Sequence, residues 1–478
     1  MNLKLIAHTL GRVINLEAVC MLLSVICSFA CGDGQYISFF ITMAICFLCG
    51  IPLSLVKPRE KKLYSRDGFV TVALSWISLS IFGALPFVIS GYIPSFVDAL
   101  FETASGFTTT GASILTDVEA LPKSLIFWRS FTHWIGGMGV LVFLVAILPL
   151  SGGSNMHLIK AESTGPSVGK LVPKVRSTAK ILYLIYFAFT VIQTVLLLLG
   201  GMSLFEALTT TFGTVGTGGF GIRNSGMADF SPYIQVVTTV FMILCGINFS
   251  LYYLMLIGRF RLALSSSELW GYLGTIFASI FIITFNCRGL FDTLGESFRH
   301  SAFQVGSIIT TTGFATTYFD KWPELSKTIL VILMFIGASA GSTGGGIKVS
   351  RILILLKSIV KEIKIASHPK SAHKVTMDGR PLEHETVRSV NVFMVSYLVI
   401  YAFSLLIISI DNMDFTTNFT AVAATLNNIG PGLAGVGPTQ NFSNYSDISK
   451  LVLTFDMIAG RLEIFPMLVL FSPVAWKK

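Results

Sequence analysis

Thr108-Thr109-Thr110-Gly111 is written again, letter for letter, at Thr310-Thr311-Thr312-Gly313. Gly216-Thr217-Gly218-Gly219 is a looser copy, and Asn427-Asn428-Ile429-Gly430 is the loosest. Their last glycines recur roughly once per hundred residues, and a fixed period marks a repeated architecture. The flanking letters keep the same register. Asp98-Ala99-Leu100 precedes Gly111 as Glu206-Ala207-Leu208 precedes Gly219, and Phe101-Glu102 matches Phe303-Gln304.

Composition sets the medium. The 478 residues are 53% hydrophobic and 12% charged, with a mean hydropathy of +0.74. A soluble domain carries roughly a quarter charged residues, so the chain reads as a polytopic membrane protein. The net charge of +9 does not point to nucleic acid, because the basic residues fall between apolar segments rather than on one face. The seven cysteines have no metal-ligand spacing and lie in or beside apolar runs, where buried free thiols are expected.

Apolar runs at about 14–31 and 36–56 open the chain, joined by Gly32-Asp33-Gly34-Gln35. The first lacks a small-residue cleavage pattern and is read as a retained helix. Each repeat then has a long apolar run, a shorter polar, glycine-bearing run and a second long run. These fall at about 69–90, 95–113 and 124–150; 180–200, 204–221 and 232–257; 270–287, 297–315 and 326–357; and 389–410, 415–432 and 447–473. The outer runs can cross a bilayer core of about 30 Å. The middle runs cannot, and they suit a half-helix with an extended return, allowed at membrane depth where protein or water surrounds it. Ten spans and four re-entrant segments follow. The organisation is a helix pair (1–66), then repeats at 67–178, 179–266, 267–386 and 387–478.

Loop charge orients this topology. Lys57, Arg59, Lys61, Lys62 and Arg66 follow the helix pair. Lys160, Lys170, Lys174, Arg176 and Lys180 link repeats one and two, and Arg259 and Arg261 link two and three. Arg351, Lys357, Lys361, Lys364, Lys370, Lys374, Arg380 and Arg388 link three and four, and Lys477 and Lys478 close the chain. All links are basic, so both termini and these links are expected in the cytoplasm, with the re-entrant runs entering from the other side.

Three features carry chemistry. Glycine allows the backbone angles that align successive carbonyls, and threonine adds hydroxyl oxygens. Four such strands around an axis would give oxygen rings able to replace the water of a cation. Close helix packing by small residues is the alternative reading, and four copies in register weigh against it. Gly337-Ala338-Ser339-Ala340-Gly341-Ser342-Thr343-Gly344-Gly345-Gly346-Ile347-Lys348 fails as a phosphate-binding loop, since Ile347 and Val349 stand where lysine and Ser/Thr are required. It should break the third repeat's second span and lie across the path as a gate; a structural kink is the alternative. Arg461, an ionisable residue at membrane depth, faces the path or pairs with Glu463. Arg129 and His133 are read as packing and capping residues. Asn-x-Ser/Thr matches at Asn248, Asn418, Asn441 and Asn444 are read as chance.

With these motifs in place, the chain resembles the superfamily of Trk, Ktr and HKT potassium transporters. It is most similar to the bacterial TrkH-type uptake subunits, through the extra helix pair, Asn427–Gly432 and Gly341–Lys348. The resemblance implies an all-α fold of four potassium-channel-like M1-P-M2 repeats around one pore. It implies filter glycines at Gly111, Gly219, Gly313 and Gly430, a gate loop at Gly337–Lys348 and a pore arginine at Arg461. It also implies a homodimer with one pore per protomer, in the bacterial inner membrane, regulated by a cytosolic nucleotide-binding ring protein of the TrkA type. The filter strands are unequal, so selectivity should be weaker than with four identical strands.

The expected function is potassium uptake through a gated, potential-driven pore, with K+ as the transported ion, no organic cofactor and membrane lipid as surroundings. A potential of 100 mV supports roughly fifty-fold accumulation without ATP. A symporter coupling potassium to protons or sodium is the rival, for which the filter strands offer only Glu102 as a titratable neighbour. No converging Ser-His, Cys-His or carboxylate-metal set supports an enzyme.

Overall fold

The computed structural model describes residues 1–57, 65–147, 175–368 and 373–476, and its regular structure is almost entirely helical. Arg59, Lys61, Lys62, Lys160, Lys170, Lys174, Lys370, Lys477 and Lys478, on which part of the charge reading rests, lie outside the described residues.

Helices α1 (Leu3–Cys31) and α2 (Tyr36–Leu55) form the amino-terminal hairpin. α1 starts well before the apolar run expected from 14, because Asn2 caps it through the Leu5 N–H, and Leu5 and Ile6 are already buried. It ends at Gly32, whose left-handed φ of 67° lets its N–H return to the Ser28 carbonyl. Small residues bring the two helices together. A Cβ built on Gly11 would lie 2.4 Å from the Ser54 nitrogen, so no larger residue fits that crossing.

The first sequence repeat holds α3 (Ser65–Ile89), α4 (Phe96–Phe107) and α5 (Lys123–Ile147). The second holds α6 (Val175–Leu199), α7 (Leu204–Val215), α8 (Pro232–Cys245) and α9 (Phe249–Leu256), followed by the short α10 (Phe260–Leu264). The third holds α11 (Ser267–Asn286), α12 (Leu294–Ile309), α13 (Glu324–Ile336) and α14 (Val349–Ser367). The fourth holds α15 (His384–Ile408), α16 (Phe415–Leu426), α17 (Asp447–Arg461), α18 (Phe465–Phe471) and α19 (Pro473–Trp476).

Among the described residues six helices are long and apolar enough to span a bilayer, and a seventh span is possible if one bent pair counts. The six are the hairpin and the first long helix of each repeat. Unbroken helices thus account for six of the ten spans expected from composition, because among the described residues every second run is interrupted. α5 contains Gly139 at φ 75°, and α8 and α9 meet at a bend of 89°. α13 stops at Gly337 and helix resumes only at Val349, while α17 and α18 are separated by Glu463 (φ 56°) and Ile464 (φ 71°). Hydropathy sees an apolar run and is blind to such breaks.

Large apolar side chains face outward, including Phe277 and Phe281 on α11 and Phe403 and Leu406 on α15. In water such a belt would drive aggregation; in lipid it matches its solvent. The link between the third and fourth repeats carries a feature the sequence reading missed, the hairpin β1 (Thr376–Met377) and β2 (Arg380–Pro381). Asp378 and Gly379 form its two-residue turn with φ of 50° and 74°, and the Asp-Gly pair is the signal that could have revealed it.

Candidate functional site

The four short helices α4, α7, α12 and α16 start alike. Ser95, Ser203, Thr293 and Asp414 each accept the N–H of the third helical residue, Asp98, Glu206, Glu296 and Thr417, at 3.0 to 3.3 Å. At Asp414, hydrogen bonds from the Thr417 hydroxyl and backbone hold the carboxyl below its ordinary range. Three of the helices have 12 residues and α12 has 16.

They also end alike, and here lie the residues singled out from sequence. Thr108, Gly216, Thr310 and Asn427 are the C-caps, the first three still in right-handed helical geometry and Asn427 at a φ of -97°. The next residues, Thr109, Thr217, Thr311 and Asn428, swing to φ of 55°, 54°, 59° and 57°. Asparagine tolerates that region, but three β-branched threonines there are strained, at roughly 1–3 kcal/mol each, and persist only where the surroundings enforce them. Thr110, Gly218, Thr312 and Ile429 each donate their N–H back to the helix at 2.8 Å, to Ser105, Gly213, Ser307 and Ala424. Gly111, Gly219, Gly313 and Gly430 then take φ of 80°, 78°, 88° and 94°. Four divergent sequences follow one backbone path.

The four turns close on each other. A Cβ built on Gly111 would lie 2.1 Å from the Gly218 carbonyl oxygen, and one on Gly219 would lie 1.8 Å from that of Thr312. One on Gly313 would lie 2.1 Å from the Ile429 oxygen, and one on Gly430 would lie 2.8 Å from that of Thr110. Each glycine therefore abuts the next repeat, and the fourth returns to the first. The four glycines line one cavity of about 160 Å³. Among the described residues no backbone N–H donates to the carbonyls of 108–111, 216–219, 310–313 or 427–430. The Gly216 carbonyl accepts the Thr217 hydroxyl at 2.7 Å; buried carbonyls are nearly always paired, so a ring of carbonyls without N–H partners is suited to an ion or water. The C-terminal ends of four helices add partial negative charge at this level.

Side chains behind the ring hold the turns. Glu102 accepts the Ile114 N–H at 2.9 Å, and Gln304 accepts the Thr316 N–H at 3.2 Å in the matching place. Glu102 also pairs at 2.5 Å with the buried Arg129, which donates to the Gly221 carbonyl at 2.9 Å and stacks on Phe220. Glu102 thus serves the scaffold rather than the ring. His133 joins the first two repeats: it receives the Phe220 N–H on Nε2 at 3.1 Å and bonds the Gly106 carbonyl through Nδ1 at 2.8 Å, a pattern that fixes a neutral tautomer. Asn428, not distinguished from its neighbours by sequence, donates to Thr110 Oγ1 at 3.0 Å and to the Met457 carbonyl at 2.8 Å, tying the fourth turn to the first.

Directly against these turns lies the non-helical segment between α13 and α14. Gly345 donates its N–H to Thr311 Oγ1 at 2.6 Å, and a Cβ there would lie 2.5 Å from the Asn427 carbonyl oxygen. A Cβ on Gly344 would lie 2.8 Å from that of Thr310. Gly337, Gly341 and Gly346 take φ of 72°, 72° and 78°, and Lys348 takes 85°. The segment fills the break between α8 and α9, where Ser339 donates to the Gly246 carbonyl and Phe249 to that of Gly341, both at 3.0 Å. Lys348 is fully buried, and its ammonium donates to the Gly344 carbonyl within the same segment. Arg461 donates to the Thr343 carbonyl at 2.8 Å, to that of Gly137 at 3.1 Å and to that of Gly136, so it bridges the segment to α5. The pairing of Arg461 with Glu463 is not formed; Glu463 pairs with Arg351 at 2.5 Å, because the break at 462–464 turns it toward α14.

Helices interrupted at membrane depth and a four-part ring of carbonyls without N–H partners define a multi-pass membrane protein of the cation-transport class. The chain matches the TrkH family, described as cation transport protein, over residues 35–286 and 273–478. It is 36% identical to the Trk system potassium uptake protein TrkH of Vibrio parahaemolyticus and 35% identical to that of Escherichia coli K12, in each case over all of both chains. The crystal structure of the potassium transporter TrkH from Vibrio parahaemolyticus superimposes with a TM-score of 0.90 at 34% identity, covering 100% of each chain. The chain belongs to the TrkH family, whose members are transport proteins and not enzymes.

Removing one partner of the buried Arg129–Glu102 pair strands the other charge. Arg129→Ala is expected to destabilise the protein by on the order of 3–5 kcal/mol. Glu102→Gln should destabilise as well, since it leaves Arg129 without a counter-charge, but by less, because the amide oxygen can keep the Ile114 N–H bond as Gln304 keeps that of Thr316. Melting of the detergent-purified variants checks the order; equal losses would show that the charge, not the clamp, matters.

Proposed function

We propose that this chain is the pore-forming subunit of a bacterial potassium-uptake system, and that residues 108–111, 216–219, 310–313 and 427–430 are its ion-selective filter. The observation that carries the reading is the closed ring in which each glycine abuts the next repeat's carbonyl. Backbone oxygens without N–H partners match a dehydrated monovalent cation. The relatives' names, potassium uptake proteins, choose potassium as the cargo. Four M1-P-M2 repeats with the boundaries expected from sequence are the architecture this implies, each inner span being a broken helix. Both termini and the basic links lie on the cytoplasmic side of the inner membrane in this reading, which the described basic residues Lys57, Arg259, Arg261 and Lys357 support.

In the same reading the 337–348 segment is the gate. Gly344 and Gly345 sit under the Thr310 and Asn427 carbonyls, where a cation leaving the ring would pass. Arg461 and Lys348 hold the segment there and add positive charge, raising the barrier. A homodimer, and a cytosolic nucleotide-binding ring protein of the TrkA type acting on the links, complete the system by analogy with Trk relatives. A potential-driven pore is favoured over a proton symporter because Glu102 is engaged by Arg129, Ser113 and Ile114 behind the ring.

Reversal potentials in liposomes test this. The parent should follow the potassium gradient, be indifferent to a pH gradient, and lose preference over sodium on Gly313→Ser, which forces a side chain toward the Ile429 carbonyl. A potential that tracks pH would establish the symporter instead, and an unchanged ratio in Gly313→Ser would remove the filter assignment.

Deleting part of Ala338–Gly345, or replacing Arg461 with alanine, should raise potassium conductance measured without any cytosolic partner. Variants of normal abundance that stay closed would exclude the gate.

A further inference from the structure

Glu268 is the second residue of α11, and its first-turn position suits the helix dipole. Its carboxylate is turned away from its own helix. Oε1 accepts the Ala340 N–H at 2.7 Å and the Ser350 N–H at 3.1 Å. Ala340 belongs to the first half of the glycine-rich segment and Ser350 to the first turn of α14. One oxygen therefore fastens both flanks of the segment to the start of a helix from the same repeat.

The residue beside it faces the cytoplasmic link. Ser267 donates its N–H to Asp378 Oδ1 at 2.6 Å, in the turn of the β1–β2 hairpin. Lys357 of α14 donates to the Thr376 carbonyl of the same hairpin at 2.9 Å. Hairpin, first turn of α11, glycine-rich segment and α14 thus form a closed circuit of contacts. The charged group facing Glu268 is Lys348, around which stand Arg351, Arg461 and Glu463, and Arg351 and Glu463 are already paired with each other.

We propose that Glu268 is a positioning residue for gating: its carboxylate latches the segment to the α11 terminus, and displacement of the β1–β2 hairpin releases it. This rests on the reading of the 337–348 segment as the gate. The physical basis is that hydrogen bonds to a charged acceptor are about twice as strong as neutral ones, so a single group can set which of two loop positions is populated. A hairpin seated on Ser267 gives a force applied in the cytoplasm a short route to that group.

The test uses the full-length chain in liposomes without any partner, with potassium flux and the potassium-to-sodium reversal potential read together. Glu268→Ala removes both hydrogen bonds and should raise partner-free flux by about tenfold or more, tenfold being the effect of losing even one charge-assisted hydrogen bond, with an unchanged permeability ratio. Glu268→Asp, one methylene too short to reach both N–H groups, should also leak, whereas Glu268→Gln keeps an acceptor oxygen and should leak least. A variant shortened within Ala338–Gly345 serves as reference. If that variant leaks and Glu268→Ala does not, the latch is wrong and the gate stands; if neither leaks, the gate reading fails and the latch with it. Should Glu268→Ala not reach the membrane, a tight Glu268→Asp overturns the proposal. A lowered melting temperature with parental flux would mean that Glu268 only caps α14, which also overturns it.

Discussion

Everything in this protein leans on the contact between four glycines and four carbonyl groups. Because a Cβ at any of these positions would stand within 2.8 Å of the neighbouring oxygen, the turns approach one another as closely as backbone can. Such an approach leaves oxygen, not side chain, at the shared axis. It also requires three threonines to hold a left-handed conformation that β-branched residues resist, and that strain has to be sustained by what lies behind the ring.

The surrounding structure supplies that support with unequal chemistry. The first repeat uses a buried ion pair and His133, the third uses Gln304, and the fourth uses Thr420, whose hydroxyl accepts the Leu433 N–H at 2.9 Å, together with the cross-link from Asn428. One backbone path is thus reached through different side-chain solutions. Each holds a main-chain N–H beyond the turn or bridges to a neighbouring repeat, and none brings a backbone N–H to the turn's own carbonyls.

The inner helices are shaped by the same crowding. Gly136 is pressed against the Phe107 carbonyl and Gly460 against that of Leu426, so these helices come within backbone contact of the short helices' ends. Helices held that close cannot run straight through to the far side. All four bend or break below the ring, and the largest break, between α13 and α14, folds back beneath it. Arg461 and Lys348 then donate to carbonyls exposed by these interruptions, which is why the buried Lys348 and the half-buried Arg461 are accommodated there.

Much of this was legible in the chain. The Thr-Gly copies and the common register of their flanking letters located the four turns, because a backbone that needs positive φ must be written with glycine, asparagine or a strained substitute at fixed places. Family membership and the membrane class were likewise readable, since apolar runs and basic links are one-dimensional features. The breaks at Gly246 and Glu463–Ile464, the switch of Glu463 from Arg461 to Arg351, and the bonds from Glu268 to Ala340 and Ser350 were not. These depend on which carbonyl is left without a partner and which side chain can reach it across large gaps in sequence. Local spacing carries no information about such distances; only the closed tertiary arrangement, in which every buried polar group competes for the same few neighbours, decides them.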